Sequence, residues 1–137
     1  MADTIRRVEY FYIQVPDKPG EGAKVLATLR QEGVNLLAYS GFPAGKKSQL
    51  DFVPADPAQF KGAAKKAKWK VKGPKRAFLI SGDDRLGAVA EVIEKLAAAK
   101  INVTALDAVC AGLGRYGAIL WVKPPAYKKA AAVLGAE

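Results

Sequence analysis

The sequence predicts an α+β fold of two ferredoxin-like βαββαβ units, each with an antiparallel sheet and both helices on one face, paired within the chain. The main observation is an internal repeat: a shift of 67 positions superimposes the chain on itself without a gap. The coinciding residues include Asp17 and Asp84, Gly20 and Gly87, Val25 and Val92, Leu29 and Leu96, and Asn35 and Asn102. A fixed period of this length indicates one supersecondary unit used twice.

The first copy has the element order strand, helix, strand, strand, helix, strand. Alternating apolar residues predict strands over 8–15, 34–42 and 48–53, with a hairpin turn at 43–47. A helix with one apolar stripe follows Gly20 and ends at Gly33. A second helix opens at Asp56-Pro57, with Asp as the cap and Pro in the first turn. Residues 68–72 alternate Lys with Trp and Val and predict a fourth strand, which Gly73-Pro74 ends.

The second copy repeats this order. We expect strands over 76–81, 101–110 and 116–122, with a hairpin at 112–114. One helix follows Gly87, with apolar residues at helical spacing, and a second helix occupies residues 124–134. The sequence therefore divides into a first unit at 1–73 and a second at 74–137.

The second unit lacks room for its own fourth strand, because the chain ends at Glu137. With the shift of 67 positions, residues 1–7 correspond to residues 68–74: each segment directly precedes the first strand of a copy. We therefore predict that residues 2–7 complete the sheet of the second unit. A three-stranded second unit with a frayed N-terminus is the alternative.

Composition excludes several classes of function. The chain has no His and one Cys, so the commonest general base and metal ligand are missing, and no acidic cluster has metal-ligand spacing. We predict no catalytic residues, no metal and no cofactor, and we interpret Cys110 as structural. A single Cys fits a reducing cytoplasm, and no apolar run approaches the ~18 residues of a membrane span, so no membrane partner is expected.

The net charge of +9 is concentrated in one stretch, since no acidic residue lies between Asp56 and Asp83. This basic stretch, residues 61–76, contains Lys61, Lys65, Lys66, Lys68, Lys70, Lys72, Lys75 and Arg76. A solvated surface explains it most simply, and attraction to a polyanion is the functional alternative.

The turn before the first helix of each copy is the candidate binding site. A helix N-terminus leaves unpaired N–H groups that favour an anion, and Gly20 and Gly87 let a ligand approach the backbone. Asn35 and Asn102 begin the next strand and offer both a donor and an acceptor. Such a site could hold the carboxylate and ammonium groups of a free amino acid. The alternative is that Asp17 and Asp84 cap the helices and the two Asn side chains bond turn backbone.

These patterns resemble the ACT domain, a small regulatory module of amino-acid metabolism. The resemblance rests on Asp17-Lys18-Pro19-Gly20 with Gly33-Val34-Asn35-Leu36, and on Asp84-Arg85-Leu86-Gly87 with Lys100-Ile101-Asn102-Val103. It covers nearly the whole chain as two tandem copies. In the second copy Leu86 replaces a proline and Lys100 a glycine.

The resemblance implies a regulatory, non-catalytic protein that binds a free amino acid or similar small effector. It also implies a homodimer or higher oligomer, and an enzyme partner that would be regulated in trans. The ligand-binding residues that it implies are Asp17, Lys18, Pro19, Gly20, Asn35 and Leu36, with Asp84, Arg85, Leu86, Gly87, Asn102 and Val103 in the second copy.

An RNA-recognition module is the competing hypothesis, because it shares the βαββαβ order and could use the basic stretch. Residues 114–121 match its third-strand pattern in part, but Ala118 replaces a stacking aromatic and the first copy has Asp51 there. We therefore expect no nucleic-acid partner. A small enzyme on this scaffold would lack an acid/base pair.

Overall fold

The computed structural model describes residues 3–137, so residue 2 of the predicted N-terminal strand lies outside the described residues. None of the helices in this range is long and apolar enough to cross a membrane. The described range contains six strands, four α-helices and one short 3-10 helix. The elements in chain order are β1 (Thr4–Pro16), α1 (Glu21–Gln31), β2 (Leu36–Ala44), β3 (Lys47–Pro54), α2 (Pro57–Lys66), β4 (Lys72–Asp83), α3 (Ala88–Ala98), β5 (Ala105–Gly112), β6 (Arg115–Trp121), the 3-10 helix (Pro124–Ala126) and α4 (Tyr127–Leu134).

The chain forms two compact units. The first-repeat unit comprises Glu9–Lys75, and the second-repeat unit comprises residues 3–8 together with Arg76–Glu137. The boundary between the units therefore falls inside β1 and inside β4, and each of these strands has one segment in each unit.

In the first-repeat unit, β3 pairs antiparallel with both β1 and β2. Phe11 lies opposite Phe52 and Ile13 opposite Leu50. These four side chains share one hydrophobic core with residues from both helices: Val25 and Leu29 of α1, and Phe60, Ala63 and Ala64 of α2. The apolar stripes predicted for the two helices therefore pack on the same side of these strands.

In the second-repeat unit, β6 pairs antiparallel with both β4 and β5. Phe78 stacks on Tyr127 of α4 with ring centroids 4.6 Å apart, and its strand partner is Leu120. Ile5 is buried in the same core. The N-terminal segment, residues 3–8, also bonds the chain end, since Glu137 N donates to Ile5 O at 2.9 Å and Arg7 N to Glu137 O at 3.0 Å.

All four α-helices end in the same way. A left-handed residue with φ between 58° and 74° closes each helix: Gly33, Lys68 and Lys100 follow the C-cap, and Gly135 is the C-cap itself. The next N–H donates to the carbonyl five residues earlier, as in Val34 to Leu29 and Ile101 to Leu96, both at 2.9 Å. This is the Schellman motif, and its backbone repeats every 67 residues even where Lys replaces Gly.

The predicted strand over 68–72 is wrong, as is the predicted break at Gly73-Pro74. The Schellman motif occupies Lys68 and Trp69, and a single strand β4 begins at Lys72 and continues to Asp83. Trp69 and Val71 are partly buried against the core, which explains their alternation with Lys without any strand. Gly73 is required inside β4, because a Cβ there would lie 2.9 Å from Tyr10 O.

The two copies differ by one residue in strand register. Phe11 faces Phe52, whereas Phe78, its counterpart 67 residues later, faces Leu120 and not Ile119. An irregularity between Cys110 and Gly112 absorbs the extra residue, and Leu113 and Gly114 then form the turn with positive φ. The ungapped repeat therefore holds for the helices but not for β6.

Replacement of Lys100 by Gly is expected to stabilise the protein. Lys100 has φ 58°, where an L-residue is strained and Gly is not. The free energy of unfolding should rise by about 0.5–1 kcal/mol, since the greater freedom of Gly in the unfolded chain offsets part of the gain. Urea denaturation measures this change, with Gly33→Ala as the matched variant of opposite sign. A Lys100→Gly protein less stable than the wild type would contradict this account of the helix end.

Candidate functional site

The first turn, Asp17 to Gly20, is exposed and joins β1 to α1. The Asp17 carboxylate accepts a hydrogen bond from Ser48 Oγ at 2.9 Å. Lys18 is 64% exposed, and its Nζ lies 3.7 Å from Glu21 Oε1. The polar side chains of this turn are therefore held loosely, at the surface.

Asn35 and Leu36 lie in a different place, a shallow groove of about 430 Å³. The groove is lined by Leu26, Leu29, Arg30, Gly33, Val34, Asn35 and Leu36. Asn35 O accepts from Ala55 N at 2.9 Å, while the residue is exposed. Residues 17–20 do not line this groove, so it does not unite the two parts of the site predicted for the first copy.

The second turn opens onto a cleft of about 280 Å³, here called the α3 cleft. Its lining combines the turn before α3, the start of α3 and strands β5 and β6: Asp84, Arg85, Gly87, Ala88, Val89, Ala90, Ala108, Val109, Cys110 and Tyr116. Three of the predicted residues, Asp84, Arg85 and Gly87, thus meet in one cavity. Leu86 is fully exposed, and Asn102 and Val103 do not line the cleft. Val103 packs instead against the core.

Neither turn aspartate serves as an N-cap. Gly20 and Gly87 are the N-caps of α1 and α3, both are left-handed, and no described side chain caps either helix. By contrast, Asp56 caps α2 as predicted, accepting from Ala58 N at 3.1 Å. The alternative role for Asp17 and Asp84 as helix caps is therefore wrong. In α3, the glycine N-cap places backbone N–H groups, without a competing cap side chain, beside the cleft.

Arg85 is the most constrained side chain of the α3 cleft. Its Nη1 donates to Asp3 Oδ1 at 3.0 Å and its Nη2 to Asp3 Oδ2 at 3.4 Å. The same guanidinium donates to Glu91 and to Asp83 O. Because two carboxylates already balance its charge, Arg85 adds little positive potential to the cleft.

The ionisation of these groups follows from their contacts. Burial raises the pKa of Asp3, but the hydrogen bonds and charge of Arg85 outweigh it, so the pKa of Asp3 lies below its ordinary value. Burial, and then the nearby Asp3 carboxylate, raise the pKa of Tyr116 to about 12. The Asp84 carboxylate raises the pKa of the Cys110 thiol. At neutral pH the cleft thus presents one carboxylate and a protonated thiol among small apolar side chains.

The structure does not favour a base-stacking surface on β6. Tyr116 is 5% exposed and Trp121 is 9% exposed, so neither aromatic ring offers a face to a nucleic-acid base. Asp51 of β3 is buried, and burial raises its pKa. In the basic stretch, Lys66 pairs with Glu32 at 3.1 Å, and Lys75 and Arg76 lie over the rings of Tyr12 and Tyr127.

Four residues in or near the cleft were not predicted as site residues: Asp3, Glu91, Cys110 and Tyr116. Asp3 is 82 positions from Arg85 in the sequence. The residue that corresponds to it in the repeat, 67 positions later, is Lys70. The predicted placement of the N-terminal segment was the one signal that could have pointed to it.

Asp3→Asn is expected to lower the stability of the protein in a pH-dependent way. Since the folded pKa of Asp3 lies below its ordinary value of 3.8, the ionised pair stabilises the fold above that pH. This contribution is lost as the pH falls through the folded pKa. Thermal midpoints of both proteins, measured from neutral to acid pH, should differ most at neutral pH and converge at acid pH. A constant difference would show that the pair does not contribute through its charge.

No protein-family profile matches the sequence, and no curated protein matches it. Solved structures do match the fold. A protein from Bacteroides thetaiotaomicron superimposes with a TM-score of 0.80 at 20% identity, covering 97% of this chain and 88% of that chain.

The other similar structures include regulatory proteins of aspartate kinase. The ligand-free regulatory subunit of aspartate kinase from Thermus thermophilus has a TM-score of 0.63 at 15% identity, covering 98% of this chain and 96% of that chain. The aspartokinase alpha and beta subunits give a TM-score of 0.65 at 16% identity, with 98% and 95% covered. The chain therefore has the fold of the ACT-type regulatory domains of aspartate kinase, the domain family that its sequence resembles.

Proposed function

We propose that this chain is a non-catalytic regulatory protein of two ACT-like, ferredoxin-like units that binds a free amino acid or a similar small effector. The observation that carries the proposal is the α3 cleft, where an uncapped helix start and the Asp84 carboxylate face one cavity. The N–H groups at the start of α3 would bind the ligand carboxylate, and Asp84 would accept hydrogen bonds from its ammonium group.

The lining restricts the ligand further. Ala88, Val89, Ala108 and Val109 supply small apolar walls, and Arg85 is already paired. A cavity of about 280 Å³ with these walls suits a small, uncharged amino-acid side chain. Of the predicted ligand-binding residues, Asp84, Arg85 and Gly87 form the core of this proposal. Leu86, Asn102 and Val103, and the first-copy set Asp17, Lys18, Pro19, Gly20, Asn35 and Leu36, stay predictions for further contacts or a second site.

The partner would be an enzyme regulated in trans, in the cytoplasm. The similarity to proteins described as regulatory subunits of aspartate kinase supports regulation of a separate catalytic chain.

Self-association is the second part of the proposal. Within the first-repeat unit, β2 pairs with β3 on one side, and the 36–44 stretch contains no charged residue. Its side chains include three of the large exposed apolar residues, Leu37, Tyr39 and Phe42, which are 38–43% exposed. An uncharged, apolar edge strand of this kind favours pairing with a second copy.

A thermal-shift screen with free amino acids tests the effector. A ligand present at 100 times its dissociation constant stabilises the fold by about 2.7 kcal/mol, which raises the melting temperature by several degrees. We expect small neutral amino acids to give the largest shift and Asp84→Asn to remove most of it. Asp17→Asn is the matched control in the other turn and should retain the shift. The proposal fails if no amino acid shifts the transition at millimolar concentration, or if Asp84→Asn responds like the wild type.

Sedimentation velocity tests the association. The wild type should sediment as a dimer or larger species, and Phe42→Lys should sediment as a monomer, because a charge on an edge strand opposes pairing. Val109→Lys, on the exposed strand β5, is the control and should leave the oligomeric state unchanged. A monomeric wild type at micromolar concentration would contradict this part of the proposal.

A further inference from the structure

The turn at 84–87 is tied to the N-terminal segment through Arg85. A guanidinium is planar with donors in a fixed fork, so partners at both ends leave it one orientation. Asp3 accepts from both terminal nitrogens, and Glu91 and Asp83 O accept as well. The backbone of the turn is also fixed, since Asp84 N donates to Gly114 O at 2.8 Å.

Asp3 is itself held in a fitted position. Its side chain is 9% exposed. It occupies space that Gly82 leaves free, because a Cβ on Gly82 would overlap with Asp3 Oδ1. The same Cβ would lie 3.0 Å from the ring of Tyr116, beside the Asp3 carboxylate. Ile5 then anchors the N-terminal segment in the core.

The first copy lacks this arrangement at every position. The residues 67 places before or after Asp3, Gly82 and Arg85 are Lys70, Val15 and Lys18. Lys70 cannot pair with Lys18, and Val15 has a side chain where Gly82 has none. Lys18 is 64% exposed, against 29% for Arg85. The substitutions thus remove the carboxylate, the space for it and the arginine together.

We infer that Asp3 is a positioning residue for the second turn: the N-terminal segment preorganises residues 84–87 through Arg85, and the first turn has no such support. The effect of this positioning on ligand binding rests on the proposed function. A site ordered before the ligand arrives loses less conformational entropy on binding. The α3 cleft is therefore the tighter of the two turn sites, and displacement of the N-terminal segment would weaken it.

Cys110 provides a reporter that needs no amino acid. It is the single cysteine of the chain, it is exposed, and it lines the α3 cleft beside Asp84. Its rate of alkylation by iodoacetamide under native conditions depends on the fraction of thiolate and on access. Release of the turn should move Asp84 away from the thiol and increase both.

The experiment compares four variants with the wild type at mildly alkaline pH. Asp3→Asn and Arg85→Gln should each accelerate alkylation severalfold, because the thiol moves away from the Asp84 carboxylate that raises its pKa and becomes more accessible. The double variant should be no faster than either single variant, since both break the same ion pair. Ile5→Val removes one methyl group from the core but leaves the N-terminal segment in place and the ion pair intact, so it should react at the wild-type rate.

The outcomes separate this inference from the proposed function. Wild-type rates in Asp3→Asn and Arg85→Gln, or an equal acceleration in Ile5→Val, would overturn it and leave the segment a role in stability alone. Arg85→Gln keeps the N-terminal segment intact, so it decides the matter even if Asp3→Asn folds poorly. Accelerated alkylation without any amino-acid binding would uphold the positioning role while the proposed function fails.

Discussion

The ion pair between Asp3 and Arg85 connects the start of the chain to the turn that opens its third helix. The contact requires several conditions at once: a glycine at position 82, the N-terminal segment in the core through Ile5, and Arg85 paired on its other side with Glu91. It also determines the electrostatics of the α3 cleft. Since two carboxylates balance Arg85, Asp84 is the charged group of the cleft to which the proposed function assigns the ammonium group of a ligand.

Much of the backbone follows from the repeat. The left-handed positions recur 67 residues apart as Gly20 and Gly87, and as Gly33 and Lys100, so the helices begin and end at equivalent places. The apolar stripes of the helices were predicted from spacing and form the two cores. These features depend on local chemistry, which a sequence displays directly.

Features that depend on contacts between distant residues were predicted less well. The alternation at Trp69 and Val71 indicated a strand, but the two residues pack on the core from a loop after a Schellman motif. The one-residue shift of β6 arises at an irregularity in β5 that identical spacing of the two copies concealed. Of the candidate site, the glycines that precede α1 and α3 and the second turn were identified from the repeat, whereas the role of these glycines as N-caps and the contact of Asp3 with Arg85, 82 positions away, were not.

The two turns have similar backbones, but only the second is held by an ion pair with the N-terminal segment. If the α3 cleft is the effector site, binding should be localised there, and amide chemical shifts can locate it in the ¹⁵N-labelled protein. Titration with the free amino acid that stabilises the protein most should move the resonances of residues 84–90 and 108–110, with little change at 17–21 and 35–36. Changes confined to the first turn and its groove, with the α3 cleft silent, would contradict the account.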